Sequence, residues 1–113
     1  MFFRREDAPV RKIFAVMTTV NNAAFAEKMA RICVGRKLAA CAQFFPMTSI
    51  YRWKGKMEKS GEILVLFKTS PAKRTALMRE IKKLHVYELP EIVGCVLDAS
   101  SKEYAKWIIA GTM

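Results

Sequence analysis

The sequence predicts an α+β domain in which two strand–helix–strand units share one antiparallel sheet. Short apolar runs typical of strands alternate with segments whose apolar residues recur every three or four positions, as on the buried side of a helix. Pro and Gly mark the boundaries between them. The length of 113 residues, 52% of them hydrophobic, suits one small globular domain. We expect that domain to cover residues 12–113, after a flexible lead-in at residues 1–11.

The strands are the short apolar or alternating runs of the sequence. They are predicted at residues 13–19, 38–45, 48–53, 57–69 and 91–98. Pro46 has no N–H to donate to a sheet, so we expect a bulge or bend between the two parts of the second strand. A further bulge is expected near Ser60 and Gly61. Lys54-Gly55-Lys56 is the predicted turn of a long hairpin.

Two amphipathic helices follow the first and third strands. The first covers residues 23–35, with Asn21 or Asn22 as its cap, because a short amide side chain accepts from the free N–H groups of the first turn. Gly35 is expected to supply a left-handed stop. The second helix starts at Ser70-Pro71, where a capping hydroxyl precedes proline at the first helical position.

A last helix completes the predicted order of elements. It follows Ser100, which has capping-box spacing with Glu103. The resulting order is βαββαβ with a C-terminal helix. Right-handed crossovers then give a four-stranded antiparallel sheet with helices on one face, the ferredoxin-like sandwich.

The hairpin is too long for a compact chain to cover. The sixteen residues 38–53 would span about 50 Å at ~3.3 Å per residue, whereas a compact chain of this length has a radius of gyration near ~13 Å. The hairpin must therefore bend or protrude. If it protrudes, it exposes Tyr51, Trp53 and strand edges, which proteins normally cover, so we expect a closed homo-oligomer. Alternatively, the hairpin folds back over its own sheet.

The net charge of +10 would attract polyanions, but it names no partner. The basic residues are dispersed along the chain, as on solvated surfaces. The same order of elements occurs in RNA-recognition domains, yet residues 62–69 lack the aromatic-basic motif on which those domains stack bases, so nucleic acid is not an expected partner. No apolar run approaches the ~20 residues needed to span a bilayer, and the acids in the first seven residues do not suit a signal peptide. We expect a cytoplasmic protein without a membrane partner.

Enzymatic activity is not expected. Cys33, Cys41 and Cys95 are widely spaced in apolar contexts, which raise the pKa of a thiol and disfavour a nucleophilic role. The sequence contains none of the short motifs that mark phosphate-binding loops, dinucleotide sites, serine hydrolases or zinc proteases.

His85 is the only histidine and marks the best candidate site. Neutral imidazole binds copper and zinc well, and Glu88 and Glu91 are close enough in sequence to bind a metal or orient the ring. The alternative is an ordinary helix-to-strand connection in which His85 only forms hydrogen bonds. A soft metal such as Cu(I) would favour sulfur ligands, for which the candidates are Cys41, Cys95 and Met17.

Four sequence motifs together resemble those of a known family. They are RKLAACAQ at residues 36–43, SIYRWKGK at 49–56, EILVLFKT at 62–69 and LHVYELPEI at 84–92. In this order they resemble the CutA divalent-cation-tolerance family. The resemblance implies a ferredoxin-like fold and a tight homotrimer formed through the long hairpins. We predict that Tyr51, Trp53 and Trp107 lie in the trimer interface.

The resemblance also implies a role in tolerance of copper and other divalent cations. Copper ligands proposed in some members are a cysteine at the position of Met17 and two histidines at the positions of Leu84 and His85. Only His85 matches, which implies a weaker or Cu(I)-selective site. The predicted candidate metal ligands are His85, Met17, Cys41, Glu88 and Glu91.

A second function stays open at this point. The family resembles the PII signalling proteins in architecture, which implies binding or signalling more than catalysis. Three copies would carry three times the charge of +10, which favours an anionic metabolite or a protein partner in a cleft between subunits. The first prediction is a metal-responsive trimer, and this scaffold or signalling module is the alternative.

Overall fold

A computed structural model describes residues 12–113 of the chain, so the predicted lead-in lies outside the described residues. The strands are β1 (Ile13–Val20), β2 (Cys41–Trp53), β3 (Lys56–Thr69) and β4 (Ile92–Leu97). The helices are α1 (Ala23–Gly35), α2 (Arg74–Leu84), which follows a short 3-10 turn (Pro71–Lys73), and α3 (Lys102–Gly111). The predicted order of elements is confirmed.

The four strands form one antiparallel sheet in the order β2-β3-β1-β4, with β2 and β4 at its edges. Because side chains alternate across a strand, the sheet has two distinct faces. Val16 and Phe67 on one face pack in a buried core with Met29 of α1 and Leu77 of α2. On the other face, Ile13 packs against α3. The α+β, ferredoxin-like prediction is therefore confirmed, with α3 covering one end of the second face.

The β2–β3 hairpin protrudes from the body of the fold. Its turn consists of Lys54 and Gly55, both with positive φ (51° and 81°), as a two-residue hairpin turn of the type I′ form requires. The molecule measures 60 × 27 × 21 Å, and its radius of gyration of 16.3 Å exceeds the compact value. The hairpin therefore protrudes and does not fold back over its own sheet.

The bulges predicted at Pro46 and near Ser60 and Gly61 are wrong. Pro46 pairs with Ile63 and Gly61 pairs with Thr48, in one register without a slip. The physical reason is the position of β2 at the edge of the sheet. One side of an edge strand has no neighbour, so a proline there need not interrupt the pairing with β3.

The left-handed stop predicted at Gly35 is also wrong. Gly35 is the last residue of α1, and the positive φ of 60° occurs at Lys37. The backbone N–H of Leu38 donates to the carbonyl of Cys33 at 2.9 Å, which closes the end of the helix around that residue. The chain thus reverses two residues later than the glycine predicts.

The structure confirms one of the three helix caps predicted from the sequence. Asn22 Oδ1 accepts from the backbone N–H three residues later at 2.7 Å, as predicted. Ser101, one residue after the predicted Ser100, caps α3. Ser70 forms no side-chain capping bond, and its hydroxyl accepts from the Thr112 hydroxyl at 3.0 Å.

Candidate functional site

The loop of residues 85–91 connects α2 to β4 and begins with the predicted histidine. His85 Nε2 lies 2.8 Å from the carbonyl oxygen of Thr19, the penultimate residue of β1. A carbonyl can only accept, so Nε2 carries the proton and donates. His85 Nδ1 accepts from the backbone N–H of Tyr87 at 3.2 Å. The ring is therefore the neutral tautomer with its proton on Nε2.

Aromatic packing and a side-chain hydrogen bond hold the same loop in place. The His85 ring is half-buried between Phe25 and Tyr87, at centroid distances of 6.4 and 4.7 Å. The Tyr87 hydroxyl donates to Glu62 Oε2 of β3 at 3.4 Å. Partial burial, and then the charge and hydrogen bond of Glu62, raise the pKa of the Tyr87 phenol. The loop is thus attached to both β1 and the hairpin.

A groove of about 700 Å³ lies between this loop and the outer half of the hairpin. Its lining includes three aromatic and three acidic side chains: Tyr51, Trp53, Tyr87, Glu62, Glu88 and Glu91. Arg52 is the basic residue of the lining. Three carboxylates against one guanidinium make the groove more suitable for a cation than for an anion.

The predicted metal ligands come together only in part. Glu88 and Glu91 are exposed and line the groove, whereas His85 contributes to it only through its hydrogen-bond partners Thr19 and Tyr87. Met17 lies on β1 two residues before Thr19, on the same face of the sheet. In the described part of the chain, no three His, Cys, Asp or Glu side chains are grouped so that they could hold a metal ion.

Cys41 is not brought together with His85. It lies at the start of β2, in the row of the sheet that contains Lys68 and Ala15. That row is four residues from Thr19, or roughly 13 Å along the strand. Cys41 Sγ instead lies 3.6 Å from the Tyr104 hydroxyl. Burial, and then the hydrogen bond with this thiol, raise the pKa of Tyr104 to about 12.

The hydrogen bonds of His85 determine how well it could bind a metal. Histidines that bind a metal usually donate their other ring N–H to a carbonyl or carboxylate, as His85 does to Thr19. Only Nδ1 has a lone pair for a metal, and the metal would have to replace the Tyr87 N–H at that atom. One ring nitrogen by itself suits only a weak site for a divalent cation.

The residues predicted for the trimer interface lie on exposed surfaces of the chain. Tyr51 is 41% exposed and Trp107 is 54% exposed. Trp53 is half-buried, with the Lys54 ammonium 5.6 Å from the centre of its ring. Sequence reasoning missed Phe45 and Val93, which are also exposed. Their apolar character is visible in the sequence, but their exposure depends on which face of the sheet stays uncovered.

Two partners of the loop were also missed from sequence. Glu62 and the Thr19 carbonyl lie 25 and 66 residues from the groups that they bind. No local pattern signals such pairs, since they depend on the register of three strands. Among residues 12–113, no helix has the length and apolar character that crossing a membrane requires.

Comparison with known proteins identifies similar chains in bacteria, archaea and vertebrates. "Protein CutA homolog" of Xenopus laevis is 39% identical over 95 residues, which cover 83% of this chain and 63% of the frog protein. This chain likewise covers 55% and 54% of the mouse and human proteins named CutA. The divalent-cation tolerance protein CutA of Yersinia pestis (strain Pestoides F) is 35% identical over 99 residues, with 87% and 83% of the two chains covered.

Solved structures with the same fold include a divalent cation tolerance protein from Thermus thermophilus. It is 35% identical, with a TM-score of 0.84 and coverage of 89% of this chain and 99% of that one. The periplasmic divalent cation tolerance protein CutA of Archaeoglobus fulgidus is 30% identical, with a TM-score of 0.86 and the same coverage. These names describe tolerance of divalent cations and no chemical reaction.

The family model of the CutA1 divalent ion tolerance protein matches residues 14–110, from the second residue of β1 almost to the end of α3. The match includes the hairpin, the loop with His85 and the groove between them. Sequence, fold and order of elements agree over nearly the whole described chain. The chain therefore belongs to the CutA1 divalent ion tolerance family.

Proposed function

We propose that this chain forms a cytoplasmic homotrimer that binds copper or another divalent cation. In this proposal the protein acts in the response to metals and catalyses no reaction. Membership of the divalent ion tolerance family over residues 14–110 is the observation that carries the proposal. Within that membership, the trimer, the metal and the ligands rest on separate structural arguments. Residues 12–113 are proposed to be its single domain.

The trimer is supported by apolar surface that one chain leaves uncovered. The hairpin carries exposed Ile50, Tyr51 and Met57, and Trp107 is exposed on α3. The sheet face opposite α1 and α2 is packed against α3 near Ile13. Monomeric proteins rarely leave such patches and two sheet edges open, so contacts between copies would stabilise this chain.

The metal site is proposed at the loop of residues 85–91. His85 Nδ1 would provide the nitrogen ligand, held in the required tautomer by the Thr19 carbonyl. Glu88 and Glu91 along the groove would supply carboxylate oxygens. Nitrogen and oxygen donors together suit Cu(II) and other divalent ions of the first transition series. Met17 and Cys41 stay predictions as ligands.

The alternative of an anionic ligand finds no supporting observation in the groove. Glu62, Glu88 and Glu91 would repel an anion there, and Arg52 alone would attract it. The lining of the groove therefore supports a cation site over this alternative.

The decisive experiment is a competition titration with Cu(I) under anaerobic conditions and with Cu(II) in air. The variants are His85→Ala and the double variant Glu88→Gln/Glu91→Gln, which leaves the hydrogen bonds of His85 intact. Glu103→Gln on α3 is the matched control, because it removes an exposed carboxylate outside the groove. We expect one ion per chain, and affinity at least about tenfold weaker in His85→Ala and in the double glutamate variant.

Equal binding by all four proteins, or no binding by any, would contradict the metal site. Urea unfolding of His85→Ala without metal is run in parallel. We expect the free energy of unfolding to fall by about 2 kcal/mol, because the buried Thr19 carbonyl loses its donor.

Light scattering tests the trimer separately. A mass three times the 12.9 kDa of the chain is expected, and a monomer would refute this part of the proposal.

A further inference from the structure

The positive charge of the chain is concentrated on one side of the fold. We define the basic layer as α1, α2 and their adjoining turns, residues 23–37 and 71–84. These segments contain nine Lys and Arg and two Glu. The rest of the chain contains eleven Lys and Arg and eight Asp and Glu. The basic layer thus carries a net charge of +7 out of +10. The basic residues are dispersed along the sequence, but they lie together in space because the two helices pack side by side.

The two acids of the basic layer are already paired within it. Glu27 accepts from Arg31 and Glu80 accepts from Arg36, both at 2.8 Å. Four further cations, all exposed, have no carboxylate within ion-pair distance among residues 12–113: Lys28, Arg79, Lys82 and Lys83. These four lie on the sides of α1 and α2 opposite their buried residues. They are therefore available to an external anionic partner.

The shape of the basic layer favours a flat partner. The helices α1 and α2 are about 20 and 16 Å long at ~1.5 Å per residue. The ion pair between Arg36 and Glu80 joins them side by side on the sheet. Phe25 is the only aromatic residue of the basic layer, and it is half-buried. The layer thus offers no exposed ring for stacking on a base.

Aliphatic side chains accompany the cations at the end of α2. Val86 follows Lys82 and Lys83 closely and is 67% exposed, and Val34 at the end of α1 is also exposed. Lysines attract anionic headgroups, and an adjacent aliphatic side chain can enter the boundary between headgroups and acyl chains. A nucleic-acid backbone would gain nothing from Val86.

We propose that the basic layer docks on the surface of a bilayer that contains anionic phospholipids. The attraction is electrostatic, with Val86 adding a small apolar contribution. Such peripheral docking requires no membrane-spanning helix, so it replaces the sequence-based expectation of no membrane partner, which rested on the absence of an apolar run long enough to span a bilayer. The basic layer lies on the face of the sheet opposite Ile13 and α3, so docking is compatible with trimer contacts through that other face. The proposal does not depend on the metal site.

Sedimentation with lipid vesicles tests this proposal. Vesicles of phosphatidylcholine with about one-third phosphatidylserine are compared with vesicles of phosphatidylcholine alone. The test variant is Arg79→Gln/Lys82→Gln/Lys83→Gln. The matched control removes the same charge from the exposed hairpin, as Arg52→Gln/Lys56→Gln/Lys59→Gln. Val86→Ala probes the apolar contribution, and a DNA duplex of about 25 base pairs serves as the competing class of partner.

We expect binding to the anionic vesicles only, and a sharp decrease between about 0.05 and 0.3 M NaCl. The basic-layer variant should bind about a hundredfold more weakly, since each cation near an anionic bilayer contributes about a factor of five. The hairpin control should lose less than about threefold. Val86→Ala should weaken vesicle binding about twofold and leave duplex binding unchanged.

Three results would overturn the proposal. The first is no binding to anionic vesicles at the lower salt concentration. The second is an equal loss in the basic-layer and hairpin variants, which would show that net charge alone is responsible. The third is duplex binding that exceeds vesicle binding and is insensitive to Val86, which would assign the basic layer to nucleic acid.

Discussion

Gly94 lies on β4 opposite Val16 of β1, where the sheet has no room for a side chain. A methyl group added there would lie 2.5 Å from Phe14 Cε2, 2.7 Å from Phe14 Cζ and 3.1 Å from the carbonyl oxygen of Ala15. Phe14 is only 7% exposed, and the Arg74 guanidinium lies 5.8 Å from the centre of its ring. The ring therefore cannot move away without displacing other groups.

Gly94→Ala should destabilise the protein by about 2 kcal/mol, within the ~1–3 kcal/mol that overpacking costs in well-packed interiors. Gly61→Ala on β3 is the matched control, since nothing lies within 4 Å of a methyl group added there. We expect it to change the free energy of unfolding by less than about 0.5 kcal/mol. Urea unfolding followed by tryptophan fluorescence measures both, at one protein concentration because association contributes to stability.

A second substitution tests the stated cause directly. Phe14→Leu removes the Cε2 and Cζ atoms that the new methyl group would contact. In that background Gly94→Ala should cost less than about 0.5 kcal/mol, which gives a coupling energy of about 1.5 kcal/mol in the double-mutant cycle. Additive effects would refute the reasoning. They would show that the Ala15 carbonyl, or the backbone of β4 itself, sets the cost.

Three further predictions follow from α1. Burial, with a smaller contribution from Glu80, raises the pKa of the Cys33 thiol from 9.0 to about 11. The folded protein thus holds this proton more tightly than the unfolded chain, so the stability contribution is complete below pH 9 and is lost as the pH rises towards 11. Cys33→Ala should remove this part of the decline in urea titrations across that range, and an unchanged decline would contradict the assignment. At the end of the helix, Lys37→Gly should stabilise by about 0.5–1 kcal/mol because the positive φ of 60° favours glycine. Gly35→Ala should also stabilise, by up to about 1 kcal/mol, since its site is helical and open, and a loss in either variant would count against the observed helix end.

Features that depend on near neighbours along the chain were predicted well. The apolar run of β1, the Asn22 cap and the turn at Lys54-Gly55 each involve only a few consecutive residues. The hairpin length was likewise readable, because a strand adds a fixed distance per residue. The exact end of α1 was not predicted. The hydrogen bonds that follow the helix place the residue with positive φ at Lys37, two residues after the glycine.

The sequence predicted the central residue of the candidate site but not the hydrogen bonds that hold it. His85 stood out as the single histidine beside two glutamates. Its hydrogen bond to Thr19 and the bond between Tyr87 and Glu62 come from strands distant in sequence. They decide the tautomer of the ring, and so which nitrogen a metal could use. The trimer and the metal remain proposals with their own tests.

The sequence by itself determined the kinds of elements, their order and the family, because periodicity, turn residues and motifs are local properties of the chain. Only the tertiary structure decided which strand became an edge, and hence that Pro46 causes no bulge. It also separated Cys41 from His85 and gathered dispersed lysines and arginines into the basic layer. These outcomes depend on which segments pack together, and burial of apolar faces selects that arrangement over the whole molecule at once.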